Sequence, residues 1–371
     1  MSTFRAGRDP NIDLMRAAAL LGMVSYHLLW WTPLSPDWLK LASEPGAYSI
    51  DLFFVLSGFL IGSLYWREER NDGHVRLLSF LKRRWLRTLP PYFAALSLSW
   101  TAVWVARGTS FDLRYLVFLQ NYQTAISFFS ISWTLCVEEH FYLVVPLGLS
   151  FSRRFRTVRP FFLAVGLLAP VLFRAHYADS AEAGKWAFGY YRTAMHVRFE
   201  SLAFGTALAW VNIYRPKLWD QAARIARWSL APMVGACLLL YFVSAMTQYI
   251  LGPSAAAALF GTLLVAIAGR RPVVPGGLQR PVRAIAITSY SVYLIHALMI
   301  HAGDVLKAHV PGVTDAMLLL IWPAAIALAG YVFFMVVERG TLALRDRIAP
   351  NLSANKASVG ADVTHGAAAF E

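Results

Sequence analysis

The chain has 371 residues, 57% of them hydrophobic and 15% charged, with a mean hydropathy of +0.49 and a formal net charge of +13. This balance excludes an ordinary soluble enzyme and fits an all-α polytopic membrane protein whose core is the helix bundle itself. Its two cysteines, Cys136 and Cys237, both lie inside apolar runs, which excludes a disulfide framework and a thiolate metal cluster.

In chain order, the apolar segments long enough to cross a bilayer number about ten, and hydropathy predicts helices over 12–31, 46–65, 88–106, 133–150, 160–176, 195–213, 228–245, 251–269, 284–303 and 315–337. The first is too long for a signal-peptide core and no small-residue cleavage site follows it, so it reads as a retained helix. The stretch 113–132 is apolar but broken by Gln120, Asn121 and Gln123, and is expected to be interfacial or re-entrant on the outer side. With the N-terminus in the cytoplasm, most of the 34 Lys and Arg fall on inner segments, as the positive-inside rule requires. Both termini are then cytoplasmic. The positive charge has a topological cause and calls for no nucleic-acid partner. Residues 1–349 read as one transmembrane domain, and 350–371, rich in Ala, Ser, Gly and Asn, as a disordered cytoplasmic tail. No internal repeat is visible.

Ionisable groups at membrane depth are costly and usually functional. Arg16 and His27, in LMRAAALLGMVSYHLLWW, are eleven positions apart, which is three turns plus about 20°, so they share one helix face roughly 16 Å apart along the axis. In GAYSIDLFFVLSGFLIGSLY, Asp51 lies at the outer interface, where it can cap a helix or receive a sugar hydroxyl; Ser57 and Gly58 read as packing positions. In FLKRRWLRTLPP, Arg84 and Arg87 share a face beside Lys82 and Arg83, a fork suited to phosphate or pyrophosphate, although arginines flanking a span also serve as topology signals or lipid anchors. Glu138 and Glu139 are adjacent in SWTLCVEEHFYLVVPL, so only one of the two can face a given cavity and the other must snorkel or pair. His196 and Glu200 stand at i and i+4 without a clear third ligand, so no metal is expected. Tyr293 and His296, three apart in ITSYSVYLIHALMIH, share a face on the outer half of their helix, where the His is either hydrogen-bonded structure or part of a catalytic group.

Taken together, Arg16 with His27, the RRWLR run, DLFFVLSGFLIG, SWTLCVEEHFYL and SYSVYLIH resemble the membrane-bound acyltransferases of type 3, in that family's order and over residues 16 to 296. The resemblance implies an O-acyltransferase of the inner (plasma) membrane. Its donor would be cytoplasmic acetyl-CoA, or another acyl-CoA, and its acceptor a hydroxyl of an envelope or exported glycan on the outer side. It implies catalytic roles for His27 and Glu138, donor binding by Arg16, Arg84 and Arg87, and supporting roles for Asp51, Tyr293 and His296. Departures from the family pattern lie at Ser49 to Asp51 and at His140, where relatives often carry Gln. A macrolide or other secondary-metabolite acceptor remains an alternative, as does a proton-coupled transporter using His27, Glu138 and His296 as a relay. The inner arginines weigh against the transporter, since a proton relay has no need of a phosphate fork.

Overall fold

The computed structural model describes residues 8–32, 36–155, 158–178 and 190–349, and among these there is no β-strand. The chain begins with α1 (Pro10–Trp31), α2 (Asp37–Ser43), α3 (Ser49–Asp72), α4 (Leu77–Arg107), α5 (Trp133–Phe151) and α6 (Val158–Ala178). It continues through α7 (Tyr190–Thr193), α8 (Glu200–Tyr214), α9 (Pro216–Tyr241), α10 (Ala245–Ile267), α11 (Gly276–His309), α12 (Asp315–Phe333) and α13 (Arg339–Ile348), with a π-helical turn at Phe334–Glu338. The expected tail, 350–371, lies outside the described residues.

Among the described residues, seven helical stretches are long and apolar enough to cross a membrane. Each of the ten apolar segments contains one helix, but α4, α5 and α8 fall outside those seven. The reason is local. At 15 residues α8 is short, α4 carries Lys82, Arg83, Arg84 and Arg87 in its first half, and α5 carries Glu138, Glu139 and His140. The polar helices α4 and α5 supply much of the arginine end of the site described below. The stretch 113–132 forms no spanning helix but three 3₁₀ turns, held by Gln120 donating to Ser132 and by Asn121 Nδ2 donating to Trp133 O at 2.8 Å and Thr193 O at 2.6 Å.

Capping fixes where α1 starts. Asp9 accepts from the Asn11 N–H at 2.9 Å, Pro10 occupies the first turn where no N–H is needed, and the second Asp9 oxygen accepts from Gly269 N–H at 2.6 Å. Asn11, fully buried, donates to Ile267 O and accepts from Val273 N–H, both at 2.8 Å. The polar end of α1 is thereby tied to the connection between α10 and α11, and α1 runs on with α3 and α11 as its neighbours.

Close approach of small residues joins α3 to α8. A Cβ on Gly58 would overlap the Leu202 carbonyl, and one on Gly205 would overlap the Val55 carbonyl. Gly58 therefore is the packing position the sequence indicated, whereas Ser57 turns its hydroxyl to Tyr142 at 3.1 Å. At the start of α8, Glu200 pairs with Arg174 of α6 at 2.6 Å, both nearly inaccessible, and the same guanidinium donates to Ile250 O and Ser254 Oγ. Truncating one partner of such a buried pair leaves the other charge uncompensated, so Arg174→Ala is expected to destabilise the bundle by about 3–5 kcal/mol. A clear fall in the thermal unfolding midpoint of the purified protein in detergent is the predicted readout; an unchanged midpoint would contradict it.

Candidate active site

Two cavities lie along the axis of α1, one at its His27 end and one at its Arg16 end. The histidine cavity, of about 870 Å³, is lined by His27, Trp31, Tyr48, Asp51, Trp133, Arg192, Arg198, Gln248 and Tyr249 among others. The arginine cavity, of about 100 Å³, is lined by Arg16, Ser57, Arg84, Arg87, Glu138, Tyr142 and Tyr290 among others. Ile50, Thr134 and Tyr293 line both.

In the histidine cavity the geometry assigns protons. His296, on α11 and fully buried, places Nδ1 at 2.6 Å from the Tyr293 carbonyl, which can only accept, so Nδ1 carries the hydrogen. In a neutral imidazole the other nitrogen, Nε2, is then an acceptor. It lies 2.9 Å from His27 Nδ1, which must donate. His27 Nε2 is left as the unprotonated atom of the pair, on a ring that lines the cavity. Trp31 fixes the ring further, stacking on it at 5.0 Å and 19°, while the His296 ring is nearly coplanar with it, 12° apart, as the in-plane hydrogen bond requires. A base oriented by a second group is the general arrangement of acid–base catalysis.

Asp51 stands in the first turn of α3 but does not cap it: its carboxylate, in the wall of the larger cavity, accepts from Arg198, just before α8, at 3.1 Å and from Ser201 Oγ of α8 at 2.9 Å. Arg198 in turn lies over the Trp133 ring at 5.2 Å. This network shapes the cavity wall with a buried ion pair and an aromatic face.

At the arginine end, Arg84 Nη2 donates to Tyr142 Oη at 3.0 Å, and Tyr142 Oη donates to Glu138 Oε2 at 3.0 Å. Glu138 is the carboxylate facing the cavity, while Glu139 turns away and accepts from Thr88 Oγ1 at 2.8 Å. Arg16 and Arg87 also line the cavity and make no hydrogen bond or ion pair among the described residues. Three guanidiniums thus converge where one carboxylate lines the wall, an excess of positive charge in a partly buried site. A second carboxylate, Glu338, is held at 2.6 Å by Ser291 Oγ in the π-helical turn and is 2% exposed.

The structure therefore brings His27 together with His296 and the Tyr293 backbone, and Glu138 together with Arg16, Arg84 and Arg87. It does not bring Glu138 to His27. Sequence reasoning passed over Tyr142, Arg198 and Glu338. Tyr142 was detectable, since it lies four residues beyond Glu138 on the same helix face; Arg198 and Glu338 carry no local signal of their partners. His196 and Glu200 part company, the first meeting Tyr177 Oη at 3.2 Å and the second pairing with Arg174.

Comparison with known proteins supplies an independent finding. The family described as "Acyltransferase domain" matches residues 9–338. A Staphylococcus aureus strain COL protein whose name includes O-acetyltransferase is 28% identical over 224 residues, covering 54% of this chain and 34% of its own length. O-acetyltransferase OatA of Staphylococcus aureus strain NCTC 8325 is 26% identical over 318 residues, covering 77% of this chain and 50% of its own length. The chain thus spans half or less of these relatives. No solved structure matches it.

Proposed function

Since this chain belongs to the acyltransferase domain family, we propose that it is an integral-membrane O-acetyltransferase that moves an acetyl group from cytoplasmic acetyl-CoA to a hydroxyl of an envelope or exported glycan. The observation that carries the reading is the pairing of an oriented base at one end of α1 with a cluster of three arginines at the other, of which Arg16 and Arg87 make no hydrogen bond or ion pair among the described residues. In the orientation that the charge bias favours, the arginine cavity opens to the cytoplasm of a cell whose inner membrane holds the protein. Arg16, Arg84 and Arg87 would hold the phosphates of the donor, and the thioester would extend along the face of α1 toward His27.

At His27 the reaction balances simply. Nε2 takes the proton of the acceptor hydroxyl as its oxygen attacks the thioester carbonyl carbon; the C–S bond breaks, the new ester C–O bond remains, and the leaving thiolate takes up the proton to give free CoA. His296 and the Tyr293 carbonyl would keep the base in the productive tautomer. Glu138 would act through Tyr142, holding Arg84 toward the donor rather than assisting His27. The aromatic and polar lining of the larger cavity, with Trp31, Trp133, Tyr48 and Gln248, suits a carbohydrate, whose rings offer apolar faces and hydroxyl edges.

Release of CoA thiol from acetyl-CoA by the purified protein in lipid, with a pool of envelope glycans as acceptor, tests the class. Acceptor-dependent release is expected. Absence of both release and acetyl-CoA binding would instead favour transport. Within an active preparation, Arg84→Ala and Arg16→Ala are expected to raise the KM for acetyl-CoA at least about tenfold with a smaller change in kcat, because phosphate contacts form before the transition state. A loss confined to the acceptor constant would contradict that assignment.

A further inference from the structure

Ile50, Thr134 and Tyr293 are the residues common to the linings of both cavities. On the reading proposed above, an acyl group held at the arginine end must cross between them to meet His27. Tyr293 is the bulkiest of the three shared side chains. Its hydroxyl donates to the Ile131 carbonyl at 2.7 Å, which uses its single proton, so Thr134 Oγ1, at 2.5 Å, donates to it in turn. The ring lies between Phe53, whose centroid is 6.5 Å away and which lines the arginine cavity, and His296, at 5.6 Å. Nothing in the hydrogen-bonded relay requires this side chain, because His296 is held by the Tyr293 main-chain carbonyl.

We propose that Tyr293, latched by Thr134 and backed by Ile50, is the gauge that limits the acyl group to acetyl. An acetyl group carries one methyl beyond its carbonyl. Each added methylene must be housed against the ring and the Ile50 side chain, and one methylene in a close-fitting apolar slot changes discrimination by about 10–200-fold. Well-packed walls resist such insertion, since overpacking forces neighbours off their preferred rotamers. Shortening this side chain therefore alters donor choice without removing a hydrogen-bond partner of His27 or His296.

The test compares kcat/KM for acetyl-, propionyl- and butyryl-CoA, read as CoA thiol release by the full chain in lipid with one fixed envelope-glycan pool. The wild type should prefer acetyl. Tyr293→Ala and, independently, Ile50→Ala should each raise the butyryl-to-acetyl ratio at least about tenfold, and Thr134→Val, which removes the latch while keeping its volume, should raise it less. Should Tyr293→Ala not be recovered folded, Ile50→Ala carries the same prediction. An unchanged ratio in variants that still release CoA overturns the proposal, as does a wild type that accepts butyryl as readily as acetyl. A wild type inactive with all three donors removes the acyltransferase reading and the gauge with it, an outcome distinct from an active enzyme with an unmoved ratio.

Discussion

Replacing His27 by Ala is expected to lower acetyl transfer by about 10²- to 10⁴-fold, the usual worth of a positioned general base, with the protein still folded and inserted. The expectation rests on an atom rather than on the residue type. The Tyr293 carbonyl fixes the proton on His296 Nδ1, His296 Nε2 fixes the proton on His27 Nδ1, and Nε2 of His27 is the nitrogen left with a lone pair. Alanine removes that lone pair and also the ring stacked on Trp31 and hydrogen-bonded to His296. His27→Gln separates the two effects, since it keeps polar bulk but supplies no base. Both variants should therefore lose kcat while keeping near-normal affinity for acetyl-CoA, whose proposed site lies at the other end of α1. Near-wild-type turnover in either variant would show that the base lies elsewhere.

Removing the acceptor behind that base should have the next largest effect. In His296→Phe the His27 Nδ1–H loses its partner, and the imidazole is free to adopt the other tautomer, with its lone pair on the wrong nitrogen. In a Ser-His-Asp triad the corresponding loss of tautomer control costs about 10⁴ in kcat. Here the partner is a neutral ring rather than a carboxylate, and a fall of about 10²-fold in kcat with little change in KM for acetyl-CoA is expected. His296→Gln offers an amide oxygen as a substitute acceptor and should recover part of the loss. Equal kcat in the Phe variant and the wild type would contradict the relay, as would a Gln variant no better than Phe in protein of normal stability.

The contrast between what local sequence carried and what it did not is physical. Each apolar run of bilayer length falls on a helix, because hydrophobicity over a window is a local property, although seven stretches rather than ten are long and apolar enough to span among the described residues. Their ends were less legible: α4 starts at Leu77 and α11 at Gly276, well before the apolar stretches begin at 88 and 284, because the polar turns LLSFLKRRWLR and GGLQRPVR continue the helix without raising hydropathy. Helical spacing placed Arg16 and His27 on one face, and the two cavities lie along that face as the spacing demands. Adjacent glutamates had to diverge, and Glu138 and Glu139 do. What spacing cannot report is which helices meet. His27 and His296 are 269 positions apart, and Asp51 and Arg198 are 147 apart. Nor could spacing report the side-chain chain from Arg84 through Tyr142 to Glu138, which sets the surroundings of that carboxylate. Glu338 sits in a π-helical turn, a local departure from 3.6-residue periodicity that no periodic template would place.

Sidedness is the sharpest test, because the proposed transfer needs a donor on one face of the membrane and an acceptor on the other. Proteoliposomes with the protein inserted in one orientation would receive radiolabelled acetyl-CoA on the side of the arginine cavity, with an envelope-glycan pool sealed on the side of the histidine cavity. Labelled, base-labile acetyl ester on the sealed glycan, abolished by His27→Ala and weakened at low donor concentration by Arg16→Ala, is the predicted result. Transfer only when donor and glycan share one compartment would contradict the account.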